Sequence, residues 1–180
     1  MPPLNHAVLS ASSAYRWLEC PPSALATADI PDETTIYAQE GSAAHEMAEY
    51  KIRWHLGAKD LAPPNVGNFN AEEIDRYTDS YAYYATDKIE TIRKICPDAI
   101  VMVEQRLDFS NYVKDGFGTG DLVIVADDVL QVIDFKYGKG VTVSAELNPQ
   151  MMLYALGALN LYGYLYDIKT VKTAIVQPRL

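Results

Sequence analysis

Three charged side chains, Asp121, Asp134 and Lys136, are spaced as a hydrolytic metal site would need them. Asp121 follows Gly118 and Gly120, which read as a turn, and opens the apolar run 122–125. Asp134 interrupts a second apolar run two residues before Lys136. Both runs have strand character, and Asp127-Asp128 between them marks a bend, so the stretch reads as a β-hairpin. Residues two apart on a strand face the same way, so Asp134 and Lys136 project together, and strand pairing can bring Asp121 beside them. The two carboxylates are hard oxygen ligands for Mg²⁺ or Mn²⁺. An ammonium next to them can hold a water or offset charge developing on a phosphate. This grouping suits metal-assisted phosphodiester hydrolysis. Asp-x-Lys alone is a short pattern with many chance occurrences, and a plain buried ion pair between Asp134 and Lys136 is its structural alternative.

A fourth candidate stands upstream. His45 falls in a stretch, 37–56, whose spacing predicts a helix, and it shares a helical face with Gly41, Ala48 and Ile52. Small residues there would let the helix approach a sheet with the imidazole inward, where it can complete a ligand set begun by carboxylates. Glu46 is about 100° around the helix and is expected at the surface. His6 and His55 have no such neighbours. Glu104, after Val101-Met102-Val103, has two equal readings: it reaches the metal through water, or it faces outward as an ordinary strand residue. Gln150 and Tyr154 lie one helical turn apart and so project together. The stripe Tyr77, Tyr81, Tyr84 reads as core.

The elements that must carry these residues follow from period and punctuation. Residues 10–18 predict a short helix with Ser at its start, ended by Cys20-Pro21-Pro22, and 23–36 read as irregular. Gly57 stops the 37–56 helix, and 63–70 form a loop. Residues 71–95 carry Ile74, Tyr77, Tyr81, Tyr84, Ile92 and Ile95 near helical spacing, and Pro97 ends that helix. Strands are predicted at 100–107, 118–126 and 129–136. A helix follows from Asn148 as cap, with Pro149 in the first turn, to Tyr162, and a last strand at 171–177. The pattern is α/β (α+β). A strand, crossover helix and strand make a parallel unit whereas the hairpin is antiparallel. The sheet of about four strands should therefore be mixed and flanked by helices, with the added N-terminal helices closing over one face.

At 180 residues, 49% apolar and 22% charged, the chain suffices for one globular domain with its own core. No run of about eighteen apolar residues offers a membrane span. The start Met-Pro-Pro-Leu-Asn-His lacks the pattern of a signal peptide, so a cytoplasmic location without a membrane partner is expected. Cys20 and Cys96 make no disulfide framework. The net charge of −9 argues against a broadly basic nucleic-acid surface. Several acids, however, belong to the candidate metal site, where cations would offset them. Arg16, Lys51, Arg53, Lys136 and Lys139 could line a local groove for phosphates. Taken singly, each except Lys136 is more ordinary as a solvated surface charge.

The order of His45 on a helix, Asp121, Asp134-x-Lys136 and then a helix with Gln150-x-x-x-Tyr154 resembles the RecB-like branch of the PD-(D/E)XK nuclease superfamily. The stretches Asp134-Phe-Lys-Tyr-Gly-Lys-Gly140 and Asn148-Pro-Gln-Met-Met-Leu-Tyr154-Ala look most like phage and prophage members of that branch. The resemblance runs over nearly the whole chain and treats 1–180 as a single domain with a restriction-endonuclease-like core. It implies Mg²⁺ or Mn²⁺ held by His45, Asp121, Asp134 and the backbone carbonyl of Phe135. Lys136 would act on the water or phosphate, and Gln150 and Tyr154 would border the site, holding the DNA strand or ordering the lysine.

The implied activity is that of a metal-dependent deoxyribonuclease, exonuclease or flap-type. It would act on single-stranded DNA or duplex ends in phage DNA processing or recombination, beside phage recombination proteins. The alternative is a catalytically inactive nucleic-acid-binding or recombination-accessory module on the same fold, and a third reading is a structural interaction domain. Trp17-Leu-Glu-Cys20-Pro resembles the first cysteine of the branch's iron–sulfur members, which take three more from a segment after the nuclease core. With Cys96 alone besides, no iron–sulfur cluster is expected in this chain by itself. The expectation is a domain lacking the C-terminal segment of longer members.

Overall fold

The structure, a computed structural model, describes residues 7–27 and 35–180. His6, and the part of the irregular segment that spans 28–34, lie outside the described residues. A 3-10 turn, Ala11–Ser13, runs into helix α1 (Ala14–Glu19). Ser10 caps this start: its hydroxyl accepts the Ser13 amide at 3.3 Å, and its carbonyl accepts the Trp17 indole N–H at 2.9 Å. Residues 23–26 are not irregular as expected but belong to helix α2 (Pro22–Ala26). Pro22 sits at its first position, where the missing N–H is one that a helix start leaves unpaired anyway. Prolines that end one helix thus begin the next.

Helices α3 (Ile36–His55) and α4 (Ala71–Ile95) follow. The side chains of Thr35 and Asn70 accept the amides of Ala38 and Glu73 at 3.2 and 3.1 Å. Gly57, at φ 114, takes the left-handed turn that ends α3. Among the described residues no helix is long and apolar enough to cross a membrane.

Strands β1 (Ile100–Asp108), β2 (Phe117–Ala126), β3 (Val129–Phe135) and β4 (Thr170–Val176) form one sheet in the order β1-β2-β3-β4. The first three are antiparallel. β4 lies parallel to β3 and is reached through helix α5 (Pro149–Tyr162), capped by Asn148. The mixed four-stranded sheet flanked by helices is the architecture that the sequence predicts. β2 bears out the strand predicted at 118–126, so Gly118 and Gly120 belong to the strand itself rather than to a Gly-x-Gly turn ahead of Asp121.

Each face of the sheet carries its own core. Leu107, Val123, Val125, Leu130 and Val132 pack on one side against Met151 and Tyr154 of α5, with Ala11, Ala14 and Trp17. On the other, Val103, Leu122, Ile124, Ile133 and Phe135 pack against Ala48 and Ile52 of α3 and Ile74, Tyr81 and Ile89 of α4. The N-terminal helices therefore do not close over a single face. They divide, because both faces are apolar and both must be covered.

The β1–β2 pair changes phase at one step. Val103 lies against α3, yet Leu107, four residues on, lies against α5, although strict alternation would keep both on the same side. Between them Glu104 has a left-handed backbone, φ 52. The pairing runs Val103↔Leu122, then Gln105↔Gly120, with no pair at Glu104 and Asp121 between them. Leu107 and its partner Gly118 then face α5, where a Cβ at Gly118 would meet Tyr154 and Ala11.

Candidate metal centre

His45, Glu104 and Asp121 each offer one ligand atom, and these atoms all lie within 4.8 Å of one another. Helix α3 presents His45 beside the buried Ala44 and Ala48. Its Nδ1 stands 3.2 Å from Oδ1 of Asp121, and its ring centroid is 5.1 Å from that of Phe135. Gly41, expected to let the helix approach the sheet, has open space around it and does no such work. Glu46 is exposed, as its angle around the helix predicts.

Asp121 occupies the mouth of the hairpin. The β2–β3 ladder ends at Leu122↔Ile133, and the Phe135 amide donates to Oδ2 of Asp121 at 2.5 Å. The carboxylate thus takes the place of a backbone acceptor and leaves Oδ1 facing His45. This puts the Phe135 backbone alongside the group.

Glu104 is the residue that sequence reasoning left undecided. Its left-handed backbone, an uncommon state for a residue with a side chain, puts its carboxylate in the group directly. The outward reading fails at the point where the strand breaks its own alternation. The available signal was an acid within an apolar strand.

Asp134 lies outside that group of three, and its neighbours are those that Lys136, Gln150 and Tyr154 provide. It is 2% exposed. Its Oδ1 accepts from Gln150 Nε2 at 3.1 Å, and its Oδ2 pairs with Lys136 Nζ at 2.9 Å without an aligned hydrogen bond. Lys136 Nζ also donates to Gln150 Oε1 at 3.0 Å. Gln150 therefore offers its oxygen to the ammonium and its amide to the carboxylate, which fixes its orientation. Tyr154 closes the chain, its hydroxyl 3.2 Å from Gln150 Nε2. The residues expected to converge do so as two adjoining sets: a ligand group and a lysine network.

The electrostatics of the two sets are joined. Burial and then the Asp121 charge push Glu104 up to about 7. The same two causes raise Asp134 to about 6, against the pull of Lys136. Burial works to lower His45, but the hydrogen bond and charge of Asp121, with Asp134 and Glu104 behind it, carry it above its ordinary value. Each group holds protons more tightly than it would in water, because negative charge is crowded and poorly solvated.

A divalent cation would discharge that crowding. Two carboxylates and an imidazole suit Mn²⁺ or Mg²⁺. Their ligand atoms, all within 4.8 Å of one another, are close enough for a single ion to be shared among them. The residues fit the ion. Asp134, with an oxygen lacking an aligned hydrogen bond, adjoins them.

The other candidates are placed as follows. Arg16 bonds Thr27 at 3.1 Å, Lys51 pairs with Asp75 at 2.7 Å and with Asp79, and Arg53 holds Glu49 and the Val103 carbonyl. Lys139 is exposed, and among the described residues no hydrogen bond or ion pair holds it. His55 pairs with Glu90 at 3.0 Å. Tyr81 is buried, and Tyr77 and Tyr84 pack beside it, as core residues should. Cys20 is exposed and Cys96 buried, and both are free.

No solved structure matches this chain. A family model described as a protein of unknown function (DUF2800) matches residues 6–180. That span is nearly the whole chain, and the protein belongs to this family.

Proposed function

We propose that this protein is a divalent-metal-dependent deoxyribonuclease of the RecB-like PD-(D/E)XK type, with exonuclease or flap-type action in phage DNA processing or recombination. One observation carries the reading. The ammonium of Lys136 is fixed by Asp134 and Gln150 beside His45, Glu104 and Asp121, a ligand group suited to a hard divalent cation. Mg²⁺ or Mn²⁺ held by these residues, with Asp134 adjoining, supplies Lewis acidity toward a phosphoryl oxygen.

The rest falls to the chain. Asp134 and Gln150 aim Lys136 Nζ, which orients the attacking water or offsets charge on the phosphate as it develops. Burial raises the Tyr154 hydroxyl well above its ordinary value, so it stays protonated and keeps Gln150 in place. Most candidate cations are engaged within the protein and the net charge is −9, so capture of DNA rests on the metal-loaded site rather than on a basic surface.

Labelled single-stranded, double-stranded and branched DNA, incubated with Mg²⁺, with Mn²⁺ and with chelator, tests the proposal. Metal-dependent cleavage is expected, abolished by chelator. Metal-dependent binding of DNA without turnover on any substrate would replace the nuclease by an accessory binding module.

A further inference from the structure

Helix α3 carries more than His45. Glu49 and Arg53 follow at intervals of four, so the three side chains share one flank of the helix. The Arg53 Nε donates to Oε1 of Glu49 at 2.6 Å, and its Nη2 donates to the carbonyl of Val103 at 2.9 Å. Val103 is the residue before Glu104, whose φ is 52. The helix that supplies one candidate ligand therefore grips β1 immediately before another.

The carbonyl does not need this arginine for a partner. β1 is an edge strand, and a groove of about 450 Å³ lies beside it, lined by Arg53, Leu56, Val103, Glu104 and Gln105. Water in such a groove could satisfy a backbone oxygen. What water could not do is tie that oxygen to α3. A planar guanidinium anchored on Glu49 sets both distance and direction, and so fixes the phase break relative to His45.

We infer that Arg53 is a positioning residue for Glu104, holding β1 at Val103 so that the left-handed step brings the Glu104 carboxylate into one group with His45 and Asp121. The inference rests on the metal reading above. It also makes a prediction opposite in sign to simple electrostatics. Removing a positive charge next to a cation site should tighten cation binding by Coulomb's law, whereas releasing the Glu104 backbone should weaken it.

Mn²⁺ titration by calorimetry, with the spectrum of bound Mn²⁺ by electron paramagnetic resonance, distinguishes the two. R53M, which keeps the apolar stem, is expected to bind Mn²⁺ about tenfold more weakly, the scale found when groups that orient metal ligands are removed. Glu49→Gln, which leaves Arg53 in place but loosens its anchor, should weaken binding in the same direction and less. In a Glu104→Gln background R53M should have no further effect, because its action passes through Glu104. Unchanged or tighter Mn²⁺ binding by R53M, or an equal loss in both backgrounds, overturns the inference alone. If R53M does not fold, unchanged or tighter binding by Glu49→Gln overturns it. A wild-type protein that takes up no Mn²⁺ overturns the metal reading and this inference with it.

Discussion

Oδ1 of Asp121 stands 3.2 Å from Nδ1 of His45, while Oδ2 of the same carboxylate accepts the Phe135 amide at 2.5 Å. One side chain thereby ties helix α3 to both arms of the hairpin. The tie places His45, Glu104 and Asp121 within reach of one ion although they come from a helix and two strands. It also concentrates negative charge where solvent is scarce, and the first prediction follows from that.

Glu104 at about 7, Asp134 at about 6 and His45 are all raised above their ordinary values. An acid with a raised folded pKa is protonated in the fold at pH values where the unfolded chain has already lost its proton. Between the two values the folded state binds more protons, so stability falls as pH rises through that window. His45 has the same sign: its favourable contribution is complete below its unfolded value and is lost as pH climbs through the raised one. Through these groups the metal-free protein should lose stability as pH rises from about 4 through about 7. Saturating Mn²⁺ should raise Tm most at the alkaline end. Calorimetric scans in chelator and in Mn²⁺ across that range check both; a metal-free Tm that climbs steadily from acid to alkaline pH would contradict the crowding.

The sequence made much of this legible, and the misses have physical causes. The strongly periodic α4 was predicted at 71–95 and is Ala71–Ile95, and Asn148 caps α5 as its side chain chemistry foretold. Asp134 and Lys136 meet because strand period is insensitive to tertiary detail. Glu104 was legible only as a candidate, an acid within an apolar strand; its direct place in the group depends on a single left-handed φ, which no pattern in the neighbouring residues encodes. α2 was hidden because two prolines read as a breaker when one of them was a helix start. The division of the N-terminal helices between two faces reflects packing against the whole sheet.

Gly118 tests the support beneath the lysine network. A Cβ there would stand 2.7 Å from Cε1 of Tyr154, whose ring is buried. Gly118→Ala must displace that ring, and with it the Gln150 amide that holds Asp134 and Lys136. A loss of about 1–3 kcal/mol is expected from overpacking, with slower DNA turnover and unchanged Mn²⁺ affinity. Gly41→Ala is the matching control. It lies within α3 with nothing within 4 Å of a Cβ, so gaining helix propensity should stabilise the protein by about 0.5–1 kcal/mol. Thermal melts of both variants read the two signs, and a stabilised Gly118→Ala would show that Tyr154 is not confined as described.

Cys20 is exposed, and Cys96 is buried with its Sγ 3.2 Å from Asp98 Oδ1. Two thiols cannot supply the four thiolates of a cubane cluster. The purified 180-residue chain should be colourless, and Cys20→Ala should change stability by no more than about 0.5 kcal/mol, as exposed substitutions do. Iron analysis near four atoms per chain would require ligands from a second copy.

The pair Asp134 and Lys136 separates catalysis from plain structural pairing. They are 2.9 Å apart with Asp134 nearly fully buried, which is also how a structural ion pair looks. If pairing were their whole role, removing either partner would strand the other and cost about 3–5 kcal/mol. Asp134 is better insulated than that. Its other oxygen keeps Gln150, and its pKa is already raised by burial and by Asp121, so neutralising it relieves repulsion. Asp134→Asn should therefore fold, melt higher than wild type without metal, bind Mn²⁺ more weakly and lose activity. Lys136→Ala should fold and keep its Mn²⁺ affinity, since the ammonium is not a ligand, yet lose on the order of 100-fold or more in turnover, the scale for removing one group that stabilises developing charge. A folded Lys136→Ala variant that cleaves DNA at the wild-type rate would remove the lysine from the mechanism. Two unfolded variants, beside a wild-type protein indifferent to divalent metal, would return the pair to the role of a buried ion pair.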